Sequence, residues 1–131
     1  MKLRHPRGLA PGLALVLVLA VAAAAARAED TALKGDPAHG KVLYGGCMGC
    51  HSLDDNDVGP KHRGVVGRKA GSVPDYAYSA ALKASGIVWD PASLDRWLSN
   101  PQKLVPGAKM YYSVPDAQNR ADLIAYLATQ K

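Results

Sequence analysis

Cys47-Met48-Gly49-Cys50-His51 places two thiols and an imidazole within one short stretch of the chain. Thiols three positions apart on a helical turn lie on nearly one face, where both can add to the two vinyl groups along one edge of a porphyrin. C-x-x-C-H is accordingly the attachment sequence for c-type haem. His51 then projects toward the iron, for which a neutral imidazole nitrogen is a good axial ligand, and the thioethers keep that bond from being lost by dissociation. A zinc site needs four ligands, and with only two cysteines the chain would have to recruit His39 or His62 at unconvincing spacings. A redox-active C-x-x-C expects alternating strand and helix segments, which this sequence lacks.

Compartment follows from the first residues. Lys2, Arg4 and Arg7 form a positive start, an apolar run extends from Leu9 to Ala26, and Ala26-Arg27-Ala28 matches a small-x-small cleavage site. The expectation is a secretory signal peptide over residues 1–28 and a mature domain over 29–131. The rival is an uncleaved anchor, but Pro11 and Gly12 interrupt the run and only residues 29–35 would tether the domain. Export implies a periplasm-like location, and the haem claims both cysteines, leaving none for a disulfide. The full chain carries 16 Lys and Arg against 11 Asp and Glu. Four of the cations leave with the signal, so the mature charge is +1 rather than +5. With two haem propionates added the protein is close to neutral, which removes the argument for nucleic acid or anionic lipid as a partner. About a hundred residues make one domain.

The elements that must position the motif read as helices. Asp36-Pro37 is an N-cap followed by proline at the first helical position, starting a helix that runs toward Cys47. Gly40 inside it costs about 1 kcal/mol relative to alanine, which invites a reason such as close approach of another helix. Residues 52–73 read as loop, and 79–84 as a short helix stopped by Gly86. Asp90-Pro91 repeats the cap-plus-proline start, Leu94, Trp97 and Leu98 give an apolar face, and Pro101 ends the helix. Residues 102–115 show no period and read as a long functional loop. A last helix over 116–129 puts Leu123, Ile124 and Leu127 on one stripe with Tyr126 beside it. The expected fold class is all-α, a few short helices and long loops wrapped around one haem. So few apolar residues make a poor core by themselves, and the protein without haem is expected to be largely unfolded.

Outside the attachment site stand Gly40 and Tyr44, Gly59-Pro60, Gly67-Arg68-Lys69-Ala70-Gly71, Tyr78, Trp89, Asn100-Pro101, Pro106-Gly107-Ala108-Lys109-Met110 and Asp122-Leu123-Ile124-Ala125-Tyr126-Leu127. With these, residues 35–128 resemble class I cytochrome c, the mitochondrial and bacterial c2-type carriers. The resemblance implies the small class I cytochrome c fold, one haem c attached through Cys47 and Cys50, and Met110 as second axial ligand opposite His51. Independently of it, Met1 is removed and Met48 lies inside the attachment loop, which leaves Met110 free to reach the iron, although a methionine in that place can also be a gap-filler. By the resemblance the Pro60 carbonyl accepts a hydrogen bond from His51, while Arg68, Tyr78 and Trp89 surround the inner propionate, whose buried charge needs donors. A solvated Arg68 and merely packed Tyr78 and Trp89 are the plain alternatives.

Three positions depart from the mitochondrial pattern. Trp97 stands where a tyrosine usually reaches the methionine sulfur, Ala108 replaces a hydroxyl residue, and His62 fills a usually apolar position as a packed or surface histidine. The lysine ring is thinned: Lys103 and Lys109 remain, whereas Gly46, Gln102 and Asp116 lie where lysines are common. The implied function is one-electron transfer by a monomeric carrier that is not an enzyme. Its donor would be a complex of the cytochrome bc1 type and its acceptor a terminal oxidase or reaction centre, or it would serve a dehydrogenase. A dedicated dehydrogenase subunit is the neighbouring reading, and a haem enzyme or gas-binding protein the reading if Met110 does not ligate.

Overall fold

Three aspartates and an asparagine start four of the five α-helices in this computed structural model, which describes residues 33–131. The expected signal peptide, residues 1–28, lies outside the described residues. Asp36 accepts the Ala38 N–H at 2.8 Å and Pro37 takes the first helical position, opening α1, Pro37–Leu43. A single 3-10 turn, Tyr44–Gly46, carries the chain on to Cys47. Ser79 caps α2, Ala80–Ala84, through the Leu82 N–H. Asp90 and Ser93 form a reciprocal capping box at the start of α3, Pro91–Ser99. Asp116 caps α5, Ala117–Thr129, through the Asn119 N–H at 2.7 Å.

The fourth helix corrects the sequence reading. Pro101 does end α3, but it also opens α4, Pro101–Leu104, at the start of what reads as an uninterrupted loop. Asn100 is the reason: it is fully extended at φ −163°, its N–H closes α3 on the Arg96 carbonyl, and its side chain accepts the Lys103 N–H at 2.9 Å. One residue thus ends a helix and caps the next. Among the described residues there are no strands; an isolated bridge joins Lys69 and Val88, and none of the helices is long and apolar enough to cross a membrane.

The core sits where α1, α3 and α5 meet. Leu94, Trp97 and Leu98 of α3 and Leu123, Ile124, Tyr126 and Leu127 of α5 are buried as their spacing predicts, joined by Tyr44, Val65 and Trp89. Each such side chain contributes about 2 kcal/mol on leaving water. Gly40 shows why α1 tolerates a glycine. A Cβ there would lie 2.0 Å from the Asp122 carbonyl oxygen, so α1 and α5 touch backbone to backbone. The buried Asp122 carboxylate ties the crossing together, accepting from Asp36 N–H and His39 Nδ1 at 2.7 Å each and from Gln118 Nε2 at 2.9 Å. Those bonds hold it well below the usual carboxylate range, at about 2, with His39 the largest contributor.

Candidate haem site

The motif residues sit on the turn that continues α1. Cys47 N–H closes on the Tyr44 carbonyl at 2.8 Å and His51 N–H on the Cys47 carbonyl at 2.9 Å, so the stretch is one helical turn that carries both thiols and the imidazole. No disulfide joins the two cysteines, and burial pushes the Cys47 thiol up. The turn forms one wall of a cavity of about 280 Å³, whose lining includes Cys47, Cys50, His51 and Met110. Its other walls are largely apolar: Val65 from the loop after the motif, Leu82 from α2, Leu94 and Leu98 from α3, Leu123 and Leu127 from α5.

His51 is held by its backbone neighbours. Its Nδ1 lies 2.8 Å from the Pro60 carbonyl oxygen and can only donate there, so the neutral ring keeps its lone pair on Nε2. Burial lowers its proton affinity, with the Pro60 bond and Asp57 pulling the other way. The segment carrying Pro60 folds back because Gly59 N–H bonds the Cys50 carbonyl at 2.7 Å. A Cβ on Gly59 would meet His51 Cε1 at 2.2 Å, and only glycine lets the chain pass. His62 covers the ring from one side, with centroids 3.9 Å apart, and its Nδ1 lies 3.1 Å from the Tyr44 hydroxyl. It is therefore a packed histidine. Burial, then the neighbouring His51 and Arg68, push its pKa down to about 3, and burial raises that of Tyr44 to about 12.

Arg68, Tyr78 and Trp89, far apart in sequence from the motif, all line the same cavity. The Arg68 guanidinium is anchored by donating to the Lys61 carbonyl at 2.7 Å and the Arg63 carbonyl at 3.0 Å. Tyr78 accepts the Val73 N–H at 3.2 Å, which leaves its own proton available. Trp89 is buried against Trp97, with ring centroids 5.2 Å apart, so Trp97 fills space beside the cavity. Trp89 is positioned by backbone bonds to Gly67 and Arg68 that flank the Lys69–Val88 bridge.

Met110 follows a turn closed by Ala108 N–H on the Val105 carbonyl at 3.1 Å, with Pro106 and Gly107 at its corners and Gly107 at φ +90°. One residue against this loop was not read from sequence except as a missing lysine. Gln102, on α4, donates to the carbonyls of Ala108 and Met110. Lys109 likewise turns its ammonium onto the Ala77 carbonyl.

The donor set suits a haem: two thiols for the vinyl groups, an oriented imidazole nitrogen and a thioether for iron, apolar walls for the ring, and donors for the propionates. The comparisons agree. The family model for cytochrome c matches residues 37–131. Cytochrome c2 of Rhodopila globiformis is 50% identical over 105 residues, spanning 77% of this chain and 99% of that protein. Cytochrome c2 of Rhodomicrobium vannielii is 47% identical over 100 residues, spanning 73% and 80% respectively. Among solved structures, cytochrome cH from Methylobacterium extorquens superposes with a TM-score of 0.71 at 47% identity, covering 72% of this chain and 99% of that one. The chain thus belongs to the cytochrome c family, electron carriers built on one haem c, here attached through Cys47 and Cys50.

Proposed function

We propose that the chain is a periplasmic one-electron carrier in which His51 Nε2 and the Met110 sulfur are the two axial ligands of the iron. The observation that carries this reading is the His51 Nδ1 to Pro60 bond, which commits Nε2 to a cavity that Met110 also lines. When bound, the haem supplies a one-electron ferrous/ferric couple. The protein's part is to keep both ligands in place in both states and to exclude water with the side chains of α3 and α5, so that little rearranges on transfer. Arg68, Tyr78 and Trp89 offset the buried propionate charge. No substrate is transformed.

Exchange with partners would use the cavity mouth near Cys47. Tyr111 and Tyr112 line the cavity and are exposed at 78% and 55%, and Met48, next to Cys47 in the chain, is exposed at 64%, an apolar and aromatic surface suited to small transient contacts. Partners are redox complexes: a donor such as a bc1-type complex, an acceptor such as a terminal oxidase or reaction centre, or a dehydrogenase. Removal of residues 1–28 after export is part of the same reading. Mass spectrometry of the protein from its native compartment should show loss of those residues plus one covalent haem. A low-spin spectrum with the red methionine charge-transfer band in the ferric state is the matching result for the ligands, and its absence would overturn the Met110 assignment.

A further inference from the structure

We propose that Gln102 is a positioning residue that clamps the Met110 loop shut through both ends of its side-chain amide. The inference rests on the reading that Met110 ligates the iron.

The clamp is a matter of geometry. Gln102 Nε2 donates to the Ala108 carbonyl at 2.7 Å and to the Met110 carbonyl at 2.8 Å, while its Oε1 accepts the Gly107 N–H at 3.3 Å. The amide's orientation is unambiguous, because the reversed one would set an oxygen against two carbonyl oxygens and an NH2 against an N–H. One side chain therefore uses both amine protons and its carbonyl on three of the four residues from Gly107 to Met110.

The loop has little else to hold it. Among the described residues, no backbone-to-backbone hydrogen bond involves residues 109–113, between the turn bond of Ala108 and the bond of Val114 N–H to the Leu98 carbonyl. Ala108 is buried and brings no polar side chain of its own. Lys109 reaches away to Ala77. The Met110 peptide is thus held from the α4 side by Gln102 alone, and α4 is itself fixed at its start by Asn100 and Pro101. This makes the short helix a bracket for the loop. How often the thioether lets go should then depend on a residue that never approaches the iron.

The test measures loop opening directly. Cyanide replaces an axial methionine on ferric haem only after the ligand swings away, so its binding rate at saturating concentration reports opening. Two donors and an acceptor are lost in Gln102→Leu, and binding should accelerate roughly 10- to 100-fold, several hydrogen bonds of ordinary net strength being involved. Gln102→Glu keeps the shape and the helix position but removes both donors, and should bind cyanide nearly as fast as the leucine variant. In Gln102→Leu, which loses the acceptor as well, the Gly107 amide should exchange with deuterium faster while the Val114 amide does not; Gln102→Glu keeps an acceptor for that amide and tests the two donors alone. Gln102→Glu with wild-type cyanide kinetics, or Gln102→Leu with wild-type Gly107 exchange, would mean that the side chain only fills space, and the clamp would be refuted. Met110→Ala separates the two levels: if it leaves cyanide binding unchanged, the ligand assignment fails; if it opens the site while Gln102 variants match wild type, only the clamp fails.

Discussion

The imidazoles of His51 and His62 lie stacked, their centroids 3.9 Å and their planes 22° apart. His62 is in turn hydrogen-bonded to the buried Tyr44 hydroxyl, so a three-residue column runs from the end of α1 to the ring that faces the cavity. Replacing His62 by leucine keeps the packing but leaves the Tyr44 hydroxyl without its partner, at a cost of about 1–3 kcal/mol. Tyr44→Phe in the same background should return part of it, since removing both polar partners is cheaper than removing one. Denaturant unfolding of the four holoproteins of this cycle measures the coupling; purely additive single effects would show that the column is not a unit.

Met110→Ala should open a coordination position, lower the reduction potential and allow carbon monoxide to bind the ferrous protein, while Cys47, Cys50 and His51 still hold the haem. Because His62 is stacked on His51, it is badly placed to take over the vacancy without local unfolding. The double variant Met110→Ala with His62→Ala should therefore behave like the single one. A carbon monoxide titration of both decides the matter.

Asp122 gives the fold an acid limit. Its carboxyl is held at about 2 in the folded protein against an ordinary value of 3.8, chiefly by His39 and then by Asp36 N–H and Gln118. A depressed carboxyl contributes stability that is complete above about pH 4 and drains away as pH falls toward 2, because the unfolded chain takes up the proton first. Asp122→Asn should be less stable at neutral pH and lose less stability between pH 4 and 2 than the wild type. Acid titrations of unfolding at a series of denaturant concentrations test this; parallel curves for the two proteins would contradict it.

Electron transfer to a physiological partner should depend only shallowly on salt. The mature charge expected from the sequence is near zero once propionates are counted, which leaves Lys103 and Lys109, both exposed, as the local cations at the ligand loop. Exposed charges are screened beyond about 10 Å at 0.1 M salt, so a strong basic ring would show itself as a steep decline in association rate. Stopped-flow rates across a salt series should fall little, and Lys103→Glu should change them by a small factor. A steep decline abolished by that substitution would assign docking to local charge.

Legibility followed sequence distance. The caps of Asp36 and Asp90 act within three residues, and each is found bonded to an N–H of the first turn, while Asp116, which reads as the first residue of the last helix, is its cap. The apolar stripes of α3 and α5 were readable for the same reason, since their period is a local property. α4 was missed because four residues cannot show a period; its only signal was Asn100-Pro101, which also reads as a stop. From sequence alone Gln102 reads only as a missing lysine and His62 as a packed or surface histidine. Gln102 works by meeting carbonyls six and eight residues away, which no side-chain pattern records. His62 works by stacking on a ring eleven positions back around a loop. The His39 to Asp122 bond spans 83 positions and had no local trace at all.

The backbone contact at Gly40 also sets an order of events. Its partner on α5 is made some eighty residues after α1, and the Asp36 to Asp122 bond spans 86 positions. Until α5 exists, α1 has nothing to cross, and contacts of such long range are late by the entropy of closing so large a loop. The crossing of α1 and α5 is therefore a late event of folding, whereas the turn that carries the thiols is closed by bonds of local range, Cys47 to Tyr44 and His51 to Cys47.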